Sequence, residues 1–446
     1  MFTDARPFHF SLSPLEVLQQ WPAHCPVAML HSGRLNTHWS RYSVIASPQG
    51  TLIHQHGRTQ WQGPLHPHNP TFKNDPFADL DIVAGDDQAL YLGYLGYEIA
   101  HHLEPVLGPA PTSTNAWPDM VMHRCPRAWV YDHQENRWSF LGPDDEAPSA
   151  PPACSNASPA FGAGKPTPDE PQHIHENRVR RTLDYIAAGD IFQANLAHRF
   201  TASFTGSPRA LFAALAQQSP AWYGAYLELP ATNNQPPRAL ASTSPELFLK
   251  LSANGDVTTR PIKGTRPATS EKGRDELRDS AKDAAELNMI IDLLRNDLGR
   301  VCTYGSVKVA QPRTIETHPT VHHGVATVTG TLHHDYTLRH LLRATFPGGS
   351  ITGAPKIRAM QIIRELEAQP RGPYCGAIGA VRGRSANLSI AIRTLLVEPQ
   401  SAPQTGHVTF SVGGGIVADS TPQAEYQETL HKAAAMRAAL STHPQR

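Results

Sequence analysis

The chain has 446 residues, enough for two or three ordinary domains or for one large domain with a smaller one attached. Hydrophobic residues make up 40% of it and charged residues 17%, so a sizeable core is expected and general disorder is excluded. Lys plus Arg and Asp plus Glu both number 39, and a net charge of zero offers no long-range field to attract nucleic acid or an anionic membrane.

Cysteine spacing and hydropathy predict a cytoplasmic protein. The five cysteines include no C-x-x-C pair, which argues against a zinc ribbon or a dithiol redox site, and their odd number suits reduced thiols. The N-terminal residues lack a basic segment followed by an apolar run, and no stretch of about 18 consecutive apolar residues occurs. We therefore expect neither a membrane nor a nucleic acid as partner.

The predicted elements fall into two regions. Residues 1–142 hold short strand-like runs separated by Gly, Pro and Asn, whereas residues 143–171 are rich in Pro, Ala, Ser and Gly and predict a linker or a long surface loop. Residues 172–441 alternate groups of strands with long helices, and such an order predicts an α+β fold with large antiparallel sheets. The predicted helices span residues 172–188, 271–299, 354–368 and 422–440, and a strand-like run, SIAIRTLLVE, spans residues 389–398.

Lys263 and Glu246 are candidates for covalent and acid catalysis. Lys263 lies in TTRPIKGTRPA, residues 258–268, where prolines bracket an apolar, glycine-containing turn. A partly desolvated amine at this place would be a nucleophile, whereas a surface lysine at a turn would have no such role. Glu246 precedes an apolar run, and the residues alone favour a surface acid at a strand end over a buried general acid.

Two pairs of acids at i, i+3 spacing each project from one face of a predicted helix. Asp283 and Glu286 form one pair, and Glu425 and Glu428 form the other. Carboxylates that converge from two helices suit a divalent cation held together with water, as Mg²⁺ prefers. The spacing by itself favours the alternative, which is that both pairs are solvated helix faces.

A glycine-rich turn precedes a predicted helix in FPGGSITGAPKIRAM, residues 346–360. Gly348 and Gly353 have the spacing of a phosphate-binding loop, but Ala354 and Pro355 stand where that loop has Lys and then Ser or Thr. The turn either presents helix N–H groups to an anion or is a plain turn, and its spacing does not separate these two interpretations.

Segments spread over nearly the whole chain resemble the chorismate-utilising enzymes. In chain order they are GDIFQANLAHRF, SPELFL, RPIKGTRP, AELNMIIDLLRNDLGRV, GSVKV, FPGGSITGAPKIRAM, CGAIG, IAIRTL and GGGIVADSTPQAEYQET. The resemblance implies the family's fold, an α/β sandwich of two large antiparallel sheets with helices outside and the active site in a central cleft. It also implies that residues 1–142 correspond to the N-terminal region of anthranilate synthase component I and residues 172–441 to the chorismate-binding catalytic region.

Two positions indicate which members of this family the chain resembles. Lys263 stands where anthranilate synthases carry Ala, and Gln193 stands where isochorismate and salicylate synthases carry a Lys that activates water. This pattern implies amination of chorismate at C4 to give 4-amino-4-deoxychorismate, the precursor of 4-aminobenzoate and folate. Lys263 would add to C2, Glu246 would protonate the departing C4 hydroxyl, and His323 would lie near the ring. An anthranilate synthase component I and a non-catalytic chorismate-binding subunit are the alternatives.

The resemblance also implies the groups that bind substrate and metal. Mg²⁺ would bind the ring carboxylate, with Glu286 and Glu428 as direct ligands and Asp283 and Glu425 reaching it through water. The implied substrate-binding residues are Arg393, Tyr374, Thr265, Gly413, Gly414, Gly415 and Gln193. A tryptophan pocket, as found in some relatives, would be formed by Ser32, Trp39, Ser40, Arg41, Tyr42, Trp222, Tyr223 and Gly224.

No glutaminase motif accompanies these segments. A glutaminase nucleophile lies in G-x-C-x-G, whereas Tyr374 and Gly376 flank Cys375 without the first glycine. The ammonia donor is therefore expected to be a separate class I glutamine amidotransferase subunit, and conversion to 4-aminobenzoate is expected to need another enzyme.

Overall fold

The computed structural model describes residues 1–109, 117–152, 160–230, 237–268, 271–318, 321–398 and 406–441. The strands are β1 (Arg6–Phe8), β2 (Ala28–His31), β3 (Tyr42–Ala46), β4 (Gly50–Gln55), β5 (Arg58–Gln62), β6 (Leu90–Leu95), β7 (Met120–Cys125), β8 (Ala128–Asp132), β9 (Arg137–Leu141), β10 (Phe161–Ala163), β11 (Thr167–Pro168), β12 (Gln193–Gly206), β13 (Tyr223–Leu229), β14 (Arg238–Ser244), β15 (Leu247–Leu251), β16 (Asp256–Arg260), β17 (Ile262–Pro267), β18 (Lys308–Thr317), β19 (Val321–Thr331), β20 (Gly353–Ala354), β21 (Ala377–Arg382), β22 (Ser385–Ile390), β23 (Thr394–Glu398) and β24 (Gly406–Ile416).

Helices connect these strands. The α-helices are α1 (Pro14–Gln19), α2 (Pro76–Gly85), α3 (Gln172–Ala187), α4 (Pro208–Gln218), α5 (Glu271–Asp279), α6 (Ala281–Gly299), α7 (Leu338–Thr345), α8 (Lys356–Leu366) and α9 (Pro422–Ser441). Shorter 3₁₀ helices span Tyr97–His102, Pro105–Leu107 and Gly349–Ile351. Within the described ranges, no helix is both long enough and apolar enough to cross a membrane.

Two large antiparallel sheets contain these strands, as predicted. In the described residues, the first sheet has 13 strands in the order β1-β9-β8-β3-β2-β13-β14-β23-β24-β12-β10, with β11 and β20 also paired to β12. The second has 11 strands in the order β17-β19-β16-β15-β22-β21-β6-β7-β4-β5, with β18 paired to β19. Each sheet combines strands from before and after residues 143–171, since β2 pairs with β13 and β6 pairs with β21.

Helices α6 and α9 bury their apolar faces against different sheets. Leu287, Ile291 and Leu298 of α6 recur at helical spacing and lie in one apolar cluster with Phe248 of the second sheet. The apolar face of α9, which includes Met436, lies in another cluster with strands of the first sheet. The acidic residues of both helices are therefore held by two separate cores, and the central cleft expected from the resemblance would lie between them.

Several boundaries differ from the sequence predictions. The helix predicted over 271–299 is two helices, because the Ser280 side chain accepts a hydrogen bond from the backbone N–H of Asp283 and caps a new helix. The strand predicted over 389–398 is divided into β22 and β23, and Arg393 between them has a positive φ of 52°. Helix α8 begins at Lys356, with Pro355 as its N-cap.

The segment predicted as a linker or loop is partly ordered into strands. Within residues 143–171, β10 and β11 both pair with β12, so this segment extends the first sheet. Residues 153–159 of the predicted linker lie outside the described residues.

Candidate active site

Three consecutive glycines near the end of β24 bring several predicted site residues together. A Cβ at Gly415 would lie 2.2 Å from Nε2 of Gln193 and 3.2 Å from Nζ of Lys263. A Cβ at Gly413 would lie 3.1 Å from the hydroxyl of Tyr374. Because a side chain at these positions would collide with polar groups, the glycines allow those groups to approach the backbone closely.

The middle glycine of the three faces the acids of α9. A Cβ at Gly414 would lie 3.0 Å from Oε2 of Glu425 and 3.9 Å from Oε1 of Glu428. Gly415 therefore lies beside Gln193 and the amine of Lys263, Gly414 lies beside two carboxylates, and Gly413 lies beside the buried phenol of Tyr374.

A bulge in β17 places Lys263 in the cleft. The pairing of β17 with β19 shifts between Ile262 and Thr265, and Gly264 within the shift has a φ of +79°. The side chain of Lys263 turns toward the glycine-rich turn, where Nζ donates a hydrogen bond to the carbonyl oxygen of Ser350 at 3.3 Å.

Burial sets the protonation preference of the Lys263 amine. It lowers the pKa of Lys263, and the cation of Lys432 acts in the same direction, while Glu286 and Glu246 oppose the change. The result favours a neutral amine, which is the nucleophilic form.

Glu246 lies between β14 and β15 and is only 5% exposed. Burial raises the pKa of Glu246 to about 7, while a hydrogen bond from the side chain of Ser350 and the charge of Lys263 oppose the increase. The residues alone favoured a surface acid here, and that interpretation is wrong. A carboxyl that holds its proton near neutral pH can act as a general acid.

Glu286 and Glu425 are carboxyls with raised pKa values. Burial raises the pKa of both side chains, and Lys263 acts against this on Glu286. Oε1 of Glu425 accepts a hydrogen bond from the hydroxyl of Ser420 at 2.5 Å, but Oε2 is buried and has no partner among the described residues.

Asp283 and Glu428 each have a cation beside them. Arg266 donates to Asp283 at 2.8 Å, and Lys432 lies 2.8 Å from Glu428 and lowers the pKa of that carboxyl. The raised pKa of Glu286 has Glu428 among its causes, so carboxylates from the two helices act on each other across the cleft.

The four acids fit a hard divalent cation. They supply oxygen ligands only, and the buried, partnerless oxygen of Glu425 faces the glycine strand beside Glu428. Their ligand atoms are not drawn to a single point: in the described chain, the group of three whose ligand atoms all lie within 4.8 Å is His333, His334 and Asp335.

His323 is a buried, neutral imidazole at the cleft. Its Nδ1 lies 2.8 Å from the hydroxyl of Thr265, whereas its buried Nε2 has no partner among the described residues. Burial lowers the pKa of His323 well below its ordinary value, and the nearby Arg393 and His318 act in the same direction. The imidazole can therefore accept or donate one hydrogen bond at Nε2 without carrying charge.

Arg393 is a half-buried cation, and its charge has no compensating carboxylate in the described part of the chain. Burial lowers its pKa to about 10, and no carboxylate of the described residues opposes this change. Its φ of +52° is a strained conformation for a residue with a side chain. An uncompensated guanidinium suits an anionic ligand, because Arg binds a carboxylate through two parallel hydrogen bonds.

Three further residues belong to the site and were not predicted from the sequence. Asn195 follows Gln193 at the two-residue period of a strand face, and its buried Oδ1 lacks a partner in the described residues. Lys432 follows Glu428 by one helical turn and donates to the carbonyl of Gly413 at 2.9 Å. Ser350 contacts both Lys263 and Glu246. Only tertiary contacts identify Ser350.

The segments of the predicted tryptophan pocket also come together. The hydroxyl of Ser40 donates to the carbonyl of Trp222 at 3.0 Å, and the hydroxyl of Ser32 donates to the carbonyl of Tyr42 at 2.8 Å. Gly224 pairs with strand β2, where a Cβ would collide with the backbone of its neighbour.

The aromatic residues of that pocket pack around one arginine. The guanidinium of Arg260 lies 4.2 Å from the ring centre of Trp39 and 5.5 Å from that of Trp222. Burial raises the pKa of Tyr223, with Arg260 opposing it. Arg41 pairs with a surface aspartate of β8 instead. The pocket as a binding site stays a prediction.

Comparison with known proteins places this geometry in a family. A family described as chorismate binding enzyme matches residues 27–438. The chain is 36% identical to aminodeoxychorismate synthase component 1 of Klebsiella aerogenes, over 96% of this chain and 95% of that protein. It is 33% identical to anthranilate synthase component 1 of Saccharolobus solfataricus, over 98% and 99%. The crystal structure of anthranilate synthase component I from Streptococcus pneumoniae aligns with a TM-score of 0.75 at 28% identity, over 96% and 97%.

Proposed function

The chain belongs to the chorismate-binding enzyme family, and we propose that it aminates chorismate at C4 to give 4-amino-4-deoxychorismate. One observation carries this proposal: the buried amine of Lys263, whose pKa is lowered, lies in the same cluster as Glu246, a buried acid with a raised pKa. A neutral amine beside a protonated carboxyl is the pair that covalent substitution of a hydroxyl requires.

The first step joins Lys263 to the substrate. The neutral amine forms a bond to ring carbon C2, the two ring double bonds shift, and the C4–O bond breaks. Glu246 gives its proton to the departing oxygen, which leaves as water. The adduct nitrogen then loses its extra proton to the Glu246 carboxylate, which becomes an acid again.

The second step reverses the shift. Ammonia forms a bond to C4, the double bonds return, and the bond between C2 and Lys263 breaks with a proton from Glu246. The new ammonium at C4 loses one proton, so the balance is chorismate plus ammonia to 4-amino-4-deoxychorismate plus water. Two substitutions of modest barrier thereby replace one difficult displacement of hydroxide.

Substrate orientation follows from the charges around the cleft. Arg393 has no compensating carboxylate among the described residues and would bind the enolpyruvyl carboxylate. Tyr374, whose hydroxyl lies close to Gly413, and the glycines of β24 would bind it from the other side. Thr265 holds His323 through Nδ1, and Nε2, which has no partner among the described residues, would face the reacting side of the ring. Gln193 stands where a lysine would activate water, and the amide of a glutamine is not a base.

Mg²⁺ completes the proposal. Glu286 and Glu428 would hold it directly, and Asp283 and Glu425 would reach it through water. When bound, the cation would neutralise the ring carboxylate of the substrate and remove the repulsion between the four acids.

Ammonia would come from a partner subunit of the class I glutamine amidotransferase type. Cys375, the cysteine nearest to a glutaminase motif, is buried, and burial raises the pKa of its thiol to about 12. A thiol in that state is not a nucleophile. The name of the Klebsiella relative, component 1, supports a second component.

Mass spectrometry of the product tests the proposal. Chorismate, Mg²⁺ and ammonium should give 4-amino-4-deoxychorismate, whereas anthranilate would identify the second candidate and binding without turnover the third. Without ammonium, the intact protein should gain the mass of a dehydrated chorismate adduct. Lys263→Ala should abolish that adduct, and Lys272→Ala, at a largely exposed position, should retain it.

A further inference from the structure

Ser350 lies at the centre of the glycine-rich turn and contacts both reacting groups. Its carbonyl accepts a hydrogen bond from Nζ of Lys263 at 3.3 Å, and its side chain acts on the carboxyl of Glu246, whose pKa it lowers. We propose that Ser350 is the positioning residue that sets the nucleophilic amine against the general acid. This inference rests on the proposed function, because it assigns Ser350 a part in the same two-step substitution.

The turn that carries Ser350 is held from outside. Arg371 donates from Nη1 to the carbonyl of Ile351 at 3.0 Å. The backbone N–H of Asn195 donates to the carbonyl of Thr352 at 2.8 Å. Both bonds are made by the two residues that directly follow Ser350, so the first sheet and Arg371 hold the turn immediately after it.

The turn is also closed internally. The hydroxyl of Thr352 donates to the carbonyl of Gly348 at 3.0 Å, and the backbone N–H groups of Ile351 and Thr352 donate to Gly348 and Gly349. These N–H groups are therefore satisfied within the turn. The interpretation that the turn presents helix N–H groups to an anion concerns a different set, the N–H groups at the start of α8, and stays a prediction.

The two contacts of Ser350 have different chemical effects. A neutral amine that donates one N–H to a carbonyl keeps its lone pair for attack, so the Ser350 carbonyl orients Lys263 without using that lone pair. The hydroxyl of Ser350 bonds more strongly to the carboxylate of Glu246 than to the carboxylic acid. It therefore stabilises the charge that forms on Glu246 as the proton passes to the leaving oxygen, which lowers the barrier and not only the energy of the bound substrate.

Ser350→Ala and Ser350→Thr separate the two contacts. Alanine keeps the backbone carbonyl for Lys263 but removes the hydroxyl from Glu246, whereas threonine keeps both. We expect Ser350→Ala to lower kcat about tenfold or more with KM for chorismate little changed, and Ser350→Thr to restore most of the rate. Ser350→Cys, which keeps the size of the side chain, replaces alanine if that variant does not fold.

A direct titration of Glu246 distinguishes positioning from a general loss of structure. Protein labelled with ¹³C in glutamate carboxyls, with the resonance assigned by its absence in Glu246→Gln, should show the Glu246 pKa move upward in Ser350→Ala and stay in place in Ser350→Thr. An unchanged titration, or equal losses in both variants, would overturn the role of Ser350. The titration needs no turnover, so a wild-type product other than 4-amino-4-deoxychorismate would refute the proposed function alone.

Discussion

Replacing Arg393 with methionine should stabilise the ligand-free protein. Burial lowers the pKa of Arg393 to about 10, because the charged form is less stable in the folded protein than in water. At neutral pH Arg393 is charged in both states, so this difference lowers the free energy of unfolding in full. Allowing for the solvent that reaches a half-buried side chain, this cost is about 1–3 kcal/mol. Methionine keeps much of the length and apolar contact while removing the charge.

Arg260→Met is the matched control. Arg260 is also buried, but it forms an ion pair with Glu316. The same substitution there leaves a carboxylate without its partner and should destabilise the protein by about 3–5 kcal/mol. The two variants are therefore expected to shift the midpoint of urea unfolding in opposite directions.

Chorismate provides the second half of the assay. Adding it with Mg²⁺ should raise the unfolding midpoint of the wild-type protein, because a ligand that binds only the folded state stabilises it. Arg393→Met should lose most of this increase. If Arg393→Met destabilises the protein as Arg260→Met does, or keeps the full chorismate effect, the assignment of Arg393 to a substrate carboxylate is refuted.

Three further variants test other parts of the site. Glu246→Gln should gain stability relative to the wild-type protein as pH rises. The protonated buried acid stabilises the wild-type fold fully below about pH 4.5, and this contribution is lost as pH passes 7. The difference in unfolding free energy should reach about 3 kcal/mol at pH 8, and a difference that stays constant with pH would contradict the raised pKa. Gly415→Ala would place a Cβ 2.2 Å from Nε2 of Gln193. It should reduce kcat/KM at least tenfold, roughly the loss expected when reacting groups are displaced. Gly299 has open space where a Cβ would lie, so Gly299→Ala should be active and serves as the control. Glu428→Gln should raise the Mg²⁺ concentration needed for half-maximal activity by about tenfold or more, and Glu276→Gln on the exposed face of α5 should not; an unchanged Mg²⁺ titration would remove Glu428 from the ligand set.

Local patterns predicted the elements whose periodicity is unbroken. The helix predicted over 172–188 ends one residue later than α3. The long strand β12 was not predicted, because most of its residues are buried on both faces and the alternation of apolar and polar residues is lost. Helix α4 was also missed, although Ser207 and Pro208 form a recognisable N-terminal signal.

Breaks within elements depended on interactions that periodicity does not contain. Ser280 stops one helical pattern and caps the next by a single side-chain hydrogen bond. Arg393 interrupts a continuous β-branched and apolar run by adopting a positive φ, which only the surrounding sheet can impose. This break lies between a strand of the second sheet and a strand of the first, so it carries the chain across the cleft.

The amino-acid sequence by itself determined which chemical groups are present: an amine at 263, an amide at 193, two pairs of acids at helical spacing and three consecutive glycines. The tertiary structure alone decided their ionisation, because desolvation and Coulomb interactions depend on groups brought together from distant parts of the chain. Glu246 is a surface acid by its local sequence and a buried acid with a raised pKa in the fold, since the packing of the two sheets removes it from water.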